Sequence, residues 1–600
     1  MFLVNSSSLT ISKHLQRLWR HVSHHHRRNF GLLLILTLLT SFAEMIGIGS
    51  VIPFLAAITE PERLFEHSIS QPIIIFLGIS EASELLLPIT IFFGVTTIIA
   101  GAMRLLLLWA STRLSFAAGA DLSIDIYRRT LYQPYAVHCG RNSSEVINGI
   151  SGKANGVIYN IIVPVLTLIN SSITLVVILI ALLMVEPVVV FTAFLGFGLI
   201  YVSIILLTQK QLLIDSNHVA RESNNVIKCL QEGLGGIRDV LINSSQETFC
   251  QIYRNSDLKL RRSQGNTLFI AFGPRYAMEA LGMLLIVALA YYMASKPDGI
   301  LKAIPILGAL AIGAQRLLPI LQQAYASWST IKGAQKSLED TLDLLDQPLP
   351  DNAKQSHTKP LIYKHNICLR QLSFRYNLET DYVLKKLDLT ILKGSRIGFI
   401  GVTGSGKSTL LDILMGLLEP TLGSLEVDGQ QINKENCSAW QARIAHVPQS
   451  IFLSDNTIEE NIAFGVNKAQ IDKNRVKQAA RKAQISDTIE LLPAQYQTIV
   501  GERGVRLSGG QRQRIGLARA LYKKADVIIF DEATSALDTE TEQLVMQAIE
   551  ELSTELTILI IAHRLSTLKN TTKIFELAYG KINKVGSYQE IVKNFKNHLN

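Results

Sequence analysis

Residues 401–409 read GVTGSGKST, a glycine-rich stretch that contains Lys407 and Ser408. The stretch matches the pattern G-x-x-x-x-G-K-[ST], follows a β-rich apolar run at Ser395–Ile400 and precedes a helical pattern at Leu410–Leu418. In such a strand–loop–helix, backbone N–H groups face phosphates, the lysine reaches the β/γ oxygens and the serine binds Mg²⁺. The sequence therefore predicts a nucleotide site. Its loop residues are Gly401, Val402, Thr403, Gly404, Ser405, Gly406, Lys407, Ser408 and Thr409.

Two further motifs point to phosphate chemistry. The apolar strand Val527–Phe530 ends in Asp531, which can hold Mg²⁺, and Glu532, which can polarise an attacking water. Leu507–Arg514 reads LSGGQRQR and opens a predicted helix at Gln513–Leu521, a second anion-binding helix N-terminus. One site cannot easily use both turns, but a two-fold dimer can, because one chain closes on the nucleotide held by the other. The residues predicted to act in trans are Ser508, Gly509, Gly510 and Gln511.

In the order and spacing of these motifs, the half from 366 to 600 resembles the nucleotide-binding domain of ABC transporters. The resemblance implies Mg²⁺ and ATP as ligands, and ATP hydrolysis at two equivalent sites of a homodimer. It implies adenine stacking on Tyr376, contact of Gln449 with Mg²⁺ and water, and a γ-phosphate contact by His563. Ser535–Asp538 (SALD) matches the D-loop of the family.

The rest of the chain is apolar. Of 600 residues, 48% are hydrophobic and only 18% are charged, which excludes a disordered chain, a disulfide scaffold and an ordinary cytosolic enzyme. A membrane-spanning helix needs about 20 apolar residues, and six runs qualify: 30–58, 85–118, 157–183, 187–208, 267–293 and 301–330. The sequence thus predicts a multidomain membrane protein, with an all-α six-helix transmembrane domain followed by an α/β P-loop NTPase domain. The predicted segments are a cytoplasmic elbow at 1–29, the transmembrane domain at 30–333, a linker at 334–365 and the nucleotide-binding domain at 366–600.

The basic residues orient these helices. The N-terminal tail and the two long loops at 119–156 and 209–266 carry 17 Lys and Arg, against 2 in the opposite loops. Such a bias places both termini and the ATPase domain in the cytoplasm, and we expect a multi-pass protein of a bacterial cytoplasmic (inner) membrane. The net charge of +9 therefore indicates membrane loops, and no nucleic-acid partner is expected. The histidines near Arg27 and Arg28 favour an interfacial elbow helix over a metal site.

The six-helix layout resembles the type IV ABC exporters, half-transporters of MsbA-like architecture. This resemblance implies alternating access, in which ATP clamps two ATPase domains together. It also implies that cytoplasmic loops dock on those domains, and the candidate docking segments are Gln133–Glu145 and Glu232–Val240.

Three arginines inside predicted helices suggest the cargo. Arg104, Arg275 and Arg316 fall roughly 24–28 Å from the outer helix ends, and ionisable groups in a membrane are functional candidates. If they face the cavity, they form a cationic ring suited to a phosphate or pyrophosphate. Alternatively, Arg104 snorkels to the interface and Arg275 pairs with Glu279 one turn on.

Two membrane segments, Ser41–Leu55 and Gln133–Ile147, are similar to the PglK-type flippases of lipid-linked oligosaccharides. The resemblance implies a polyprenyl-pyrophosphate-linked glycan, or a related glycolipid or anionic lipid, moved from the inner to the outer leaflet of the bilayer. Two alternatives stay open. One is a peptide or multidrug exporter, whose cavity would lack basic groups, and the other is a non-transporting ABC ATPase that acts as a regulator.

Overall fold

The structure is a computed structural model, and it describes residues 11–59, 61–66, 75, 78–183, 187–294, 299–350, 359–377, 379–531, 543, 546–547, 549–550, 555–562 and 565–591. Within these ranges the side chains of 63, 182, 188–190, 192–194, 285–286, 289–290, 292–294, 299–314 and 316 are not described. The chain divides into two compact units, 1–133 with 141–349, and 134–140 with 350–600.

The first unit is helical. Its helices are Ile11–His21, His24–Gly49, Val51–Thr59, Pro61–Glu66, Leu86–Leu131, Ser143–Ile147, Ala154–Val157, Val163–Leu183, Pro187–Gly235, Ile237–Ile242, Gln246–Phe272, Pro274–Ala294, Gly299–Gly333 and Gln335–Leu345. Several of them are far longer than a bilayer requires, since Leu86–Leu131 has 46 residues and Pro187–Gly235 has 49. The predicted loops at 119–156 and 209–266 are therefore largely continuations of helices.

Four stretches of the described chain are long and apolar enough to cross a membrane: His24–Thr59, Ala82–Leu131, Ser143–Ala181 and Leu195–Gly235. The predicted fold class is confirmed, but the count of six spans is not. The fifth predicted run, 267–293, is divided between Gln246–Phe272 and Pro274–Ala294. Pro274 has no N–H and begins the new helix. The sixth run lies in Gly299–Gly333, where most side chains of its first half are not described.

The predicted linker, 334–365, begins instead with an amphipathic helix, Gln335–Leu345. Leu338, Leu342 and Leu345 are fully buried, because their spacing places them on one helical face. The polar and proline residues after Leu345 favour a linker. Up to Leu345, however, the leucines recur every three or four residues, and this spacing produces a helix.

The predicted elbow forms the helix Ile11–His21 and the start of His24–Gly49. Arg17 donates to Asp346 (2.5 Å) and to Asp343 (3.1 Å) at the end of Gln335–Leu345. Asp343 lies in the last turn of that helix and Asp346 caps its C-terminus. The elbow therefore binds to the last helix of the first unit through charge-assisted hydrogen bonds.

The second unit contains two sheets. Its strands are β1 (Asn366–Phe374), β2 (Leu384–Leu392), β3 (Arg396–Ile400), β4 (Leu422–Val427), β5 (Gln430–Gln431), β6 (Ile444–Val447), β7 (Val527–Asp531), β8 (Thr557–Ile561), β9 (Lys573–Ala578) and β10 (Lys581–Gly586). Its helices are Tyr135–Cys139, Lys407–Leu414, Cys437–Gln441, Ile458–Ile462, Lys473–Lys482, Ser486–Glu490 and Gly509–Lys523. One sheet is antiparallel, in the order β2-β1-β4-β5, and the other has the order β10-β9-β3-β8-β7-β6.

Strands β9, β3, β8, β7 and β6 pair in parallel. The first four residues of β7 and all five of β8 are buried, as expected for central parallel strands that are covered on both faces. Parallel pairing also brings the carboxyl ends of β3, β7 and β6 to one edge of the sheet.

A test of the packing in the first unit concerns two glycines of the same helix, Leu86–Leu131. A Cβ at the buried Gly119 would collide with the Ile158 side chain, whereas a Cβ at Gly101 would meet nothing within 4 Å. We expect Gly119→Ala to cost about 1–3 kcal/mol through overpacking, while Gly101→Ala is neutral or slightly stabilising. Thermal unfolding of the purified protein measures both. Equal melting temperatures for the two variants would contradict this packing.

Candidate nucleotide site

The glycine-rich loop connects β3 to the helix Lys407–Leu414. Gly406 caps this helix with a φ of 98°, a left-handed conformation that favours glycine. The helix thus begins at Lys407, three residues before the predicted start. The Lys407 ammonium is buried, and its Nζ donates to the carbonyl oxygens of Gly401 (2.7 Å) and Val402 (3.1 Å). The loop is therefore closed around its own lysine.

The interior of this loop fits a phosphate. Ser405 Oγ is buried and has no hydrogen-bond partner among the described residues, so a ligand oxygen would satisfy an otherwise costly group. At Gly401 a Cβ would collide with the Leu577 carbonyl and with Ser405 Oγ. Val402, Thr403, Gly404 and Ser408 are exposed along the loop, so the backbone can be approached from solvent.

Tyr376 lies beside the start of the same helix. Its hydroxyl is 3.1 Å from Thr409 Oγ1, and its ring packs edge-to-face on Phe374, with centroids 5.0 Å apart. The side chain is nevertheless 55% exposed. The structure thus brings Tyr376 to the glycine-rich loop with more than half of its side chain exposed, an arrangement suited to stacking on a flat aromatic ligand.

The other predicted residues follow the carboxyl ends of neighbouring strands. Asp531 ends β7 and is half-buried, and Gln449 follows β6 and is exposed. The glycine-rich loop follows β3, two strand positions from β7, which corresponds to roughly 10 Å. Ser408, Asp531 and Gln449 supply oxygen ligands of the kind Mg²⁺ prefers. Glu532, Ser535–Asp538 and His563 lie outside the described residues.

Sequence reasoning missed Asp412. This carboxylate lies one turn after Ser408 on the helix Lys407–Leu414, and burial together with the nearby charge of Asp531 raises its pKa to about 6. The i, i+4 spacing from Ser408 was the available signal, since such residues share a helical face. The site therefore holds a second carboxylate whose ionised form is disfavoured by its surroundings.

The helix Gly509–Lys523 begins four residues before the predicted start, because Ser508 caps it with a capping box. The Ser508 hydroxyl accepts from the Gln511 N–H (3.2 Å), and Gln511 Oε1 accepts from the Ser508 N–H (2.9 Å). Ser508 and Gly509 are exposed, whereas Gly510 is buried. The helix packs into a different hydrophobic cluster from the helix of the glycine-rich loop. Its N-terminus is thus open to a ligand that another chain could hold.

Arg519 fixes this helix to the segment after β6. Its guanidinium donates to the carbonyl oxygens of Asn461 (2.9 Å) and Phe452 (3.0 Å) and lies 4.5 Å from the Phe464 ring centroid. Burial lowers the pKa of Arg519 to about 10. A planar guanidinium with several donors can hold two backbone segments at once. Gln449 lies just before the segment that Arg519 binds. Arg519 therefore connects the surroundings of Gln449 to the helix Gly509–Lys523.

The first unit contains a cavity of about 650 Å³, which includes one of the three predicted arginines. Arg104 lines it and is ion-paired with Glu44, whose side chain is only 10% exposed. Arg275 is not among the described lining residues and pairs with Glu279 at 2.8 Å. The side chain of Arg316 is not described. The structure therefore brings Arg104 to a cavity without bringing Arg275 to it, and Glu44 is a residue that sequence reasoning missed.

The capping box of Ser508 gives a matched pair of variants. Thr457 forms an equivalent box at the start of Ile458–Ile462, so Ser508→Ala and Thr457→Ala should each cost about 1 kcal/mol of stability. If Ser508 also contacts nucleotide across a dimer, only Ser508→Ala should lower ATPase turnover, by about tenfold or more. Thermal unfolding and phosphate release measure the two effects. Equal loss of turnover in both variants would assign Ser508 a purely structural role.

Asp412 gives a prediction about pH. Because its folded-state pKa is raised, the stability it contributes is present below about pH 4 and is lost as pH rises through about 6. The variant Asp412→Asn should therefore be more stable than the parent by about 1–3 kcal/mol at pH 8 and should lose this advantage toward pH 4.5. Melting temperatures across this range measure it, with the exposed Glu490→Gln as control. A difference that does not depend on pH would refute the assignment.

Comparison with known proteins extends this picture. The family model described as ABC transporter matches residues 384–535. An ATP-dependent lipid A-core flippase of Alkalilimnicola ehrlichii is 34% identical over 52% of this chain and 53% of its own length. One of Paraburkholderia xenovorans is 29% identical over 79% of each chain. The first four curated relatives are matched over 20 to 53% of their own length.

A solved structure shares the fold. A bacterial Atm1-family ABC exporter with ATP bound superposes with a TM-score of 0.75, covering 95% of this chain and 96% of the other at 22% identity. At this identity the likeness concerns the fold alone. The chain thus carries an ABC transporter domain at residues 384–535, in a protein with the fold of an Atm1-family ABC exporter.

Proposed function

We propose that this chain is one half of a homodimeric, ATP-driven ABC exporter that flips an anionic lipid across a bacterial cytoplasmic membrane. Its cargo is a polyprenyl-pyrophosphate-linked glycan or a related glycolipid. The single observation that carries the cargo assignment is the cavity around Arg104, which combines apolar walls with an arginine. The lipid A-core flippases among its relatives support a lipid cargo.

Hydrolysis of ATP supplies the energy. Ser408, Asp531 and Gln449 are the residues that would hold Mg²⁺, which would supply positive charge to offset the charge that develops on the phosphate oxygens. Lys407 and the loop N–H groups bind the phosphates, and Tyr376 stacks on the adenine. Glu532 polarises the attacking water, His563 contacts the γ-phosphate, and Ser508–Gln511 of the partner chain close the site.

Transport follows from the way the chain is divided. Pro134–Gly140 lies between two helical segments of the first unit in sequence but belongs to the second compact unit. A movement of the second unit therefore carries this segment with it and pulls on the helices that flank it. ATP favours the closed dimer and release favours the open one, so the energy acts through the relative stability of two states.

Arg104 is suited to a phosphate. Glu44 engages its Nε, while the arginine side chain remains 42% exposed. A guanidinium has five N–H donors, so a phosphate oxygen can be bound beside the carboxylate. Arg275 and Arg316 remain candidates that would add positive charge in the dimer.

Glu44 also favours a second candidate. A carboxylate in an apolar cavity is the group expected to bind an amphipathic cation, as in an exporter of drugs or cationic peptides. An anionic lipid would bind to Arg104, whereas a cation would bind to Glu44. Variants of the two residues therefore distinguish the two candidate cargoes.

The test is ATPase activity of the reconstituted dimer, with and without a short polyprenyl-pyrophosphate glycan. Because Arg104→Ala would leave a buried Glu44 unpaired, the informative variant is the neutral pair Glu44→Gln/Arg104→Gln. We expect the concentration for half-stimulation to rise about tenfold or more, with basal turnover unchanged. The exposed Arg221→Ala is the matched control, and Glu532→Gln gives the baseline without hydrolysis.

Stimulation by amphipathic cations that is lost in Glu44→Gln, with no response to the glycan lipid, would instead establish the second candidate. Unchanged turnover in Glu532→Gln would remove Glu532 from the catalytic role.

A further inference from the structure

The cavity around Arg104 also has an uncharged polar lining. Arg104 and Glu44 are the only charged residues among the described residues that line it. The other polar lining residues carry hydroxyls or amides, and five of them form what we call the neutral wall: Thr37, Ser111, Thr167, Asn170 and Ser171. The cavity therefore offers neutral hydrogen-bonding groups in addition to an ion pair.

The spacing along two helices separates the neutral wall from the ion pair. Glu44 pairs with Arg104, and contacts near both ends of their helices show that these helices are antiparallel. Thr37 lies seven residues before Glu44, and Ser111 lies seven residues after Arg104. Seven residues are two helical turns, about 10 Å, and return to nearly the same helical face. Thr37 and Ser111 therefore lie level with each other, about two turns from the ion pair.

A third helix brings Asn170 to the same level. The starts of His24–Gly49 and Val163–Leu183 pack in one hydrophobic cluster, and further along Ser41 Oγ lies 2.9 Å from Thr174 Oγ1. The two helices are therefore parallel. Thr37 and Asn170 each lie one turn before this contact, so Asn170 joins the level of Thr37 and Ser111.

The hydroxyls of the neutral wall are available mainly as acceptors. Thr37, Ser111 and Thr167 each donate to a backbone carbonyl oxygen of their own helix, at 3.0, 3.1 and 3.0 Å. A hydroxyl has one proton to donate and two lone pairs, so each of the three can still accept a hydrogen bond. Acceptors suit the O–H groups of a ligand and do not suit the oxygens of a phosphate.

Two further groups of the neutral wall have no partner. Asn170 Oδ1 and Ser171 Oγ are buried without a hydrogen-bond partner among the described residues, and Ser171 is only 2% exposed. Buried polar groups that stay unpaired cost free energy, so a ligand that bonds to them gains affinity. An amide both donates and accepts, as do the hydroxyls of a sugar.

We propose that the neutral wall binds the first sugar residues of a lipid whose diphosphate is held at Arg104. This inference rests on the proposed function and adds that the head group is recognised through its sugar hydroxyls. The wall and the ion pair are about 10 Å apart along the helices, a separation that a diphosphate and its first sugars can span. The charge bias of the loops predicts that the wall lies on the cytoplasmic side of Arg104, the side toward which the head group of an inner-leaflet lipid extends.

Two lipids that differ only in their sugars test the proposal. One is a short-chain polyprenyl diphosphate, and the other is the same lipid with a disaccharide attached. Their dissociation constants for the detergent-solubilised protein without nucleotide are measured by calorimetry. We expect the glycosylated lipid to bind about tenfold more tightly, as one or two neutral hydrogen bonds would provide. The variant Ser111→Ala/Asn170→Leu should lose this difference and bind the lipid without sugar as the parent does, which also shows that the variant is folded.

The matched control is Ser203→Ala/Asn217→Leu. Both residues are exposed, donate to carbonyl oxygens of their own helix and lie outside the described cavity lining, so the control should keep the tenfold difference. Glu44→Gln/Arg104→Gln should weaken both lipids and leave their ratio unchanged. Equal affinities in the parent, or a difference that survives in Ser111→Ala/Asn170→Leu or is lost in the control, would overturn this inference alone. Binding of neither lipid would overturn the proposed cargo and this inference with it.

Discussion

Parallel pairing of β3, β8 and β7 is the constraint on which the nucleotide site depends. Strands that run in one direction end at one edge, so the glycine-rich loop after β3 and Asp531 at the end of β7 lie at the same edge of the sheet. Gln449, after β6, joins the same edge because β6 pairs in parallel with β7. The apolar composition of these short strands is what places three separated motifs together.

The same carboxyl edge creates an electrostatic cost. Asp412 and Asp531 are close enough for one charge to disfavour the other, and burial adds to the effect. A bound cation would offset part of this negative charge. The first unit manages its buried charge differently, since Glu44 and Arg104 neutralise each other within an apolar helix bundle. The buried charges of Glu44 and Asp412 thus lie where a partner or a ligand can compensate them.

Much of the ATPase half could be predicted from sequence, because its motifs are local. The runs before Gly401 and Asp531 are short, apolar and bounded by glycine or acidic residues. Such segments are too short for a typical helix and are therefore predicted as buried strands. The helices that start at Lys407 and Gly509 begin earlier than the sequence predicts, because a left-handed glycine and a capping box act at single residues. Asp412 and Glu44 were missed because their importance arises from residues distant in sequence. The helix Gln335–Leu345 was mistaken for linker because polar composition was weighed above spacing.

The bonds from Lys407 to the carbonyl oxygens of Gly401 and Val402 bear on how nucleotide is exchanged. An ammonium that is satisfied by its own loop preserves the loop's curvature after a ligand has left. An incoming phosphate must compete with those carbonyl oxygens for the Lys407 ammonium. The loop already has its curved conformation, so little conformational entropy is lost on binding. Binding of the next nucleotide is then limited by access to the loop and not by refolding of the loop.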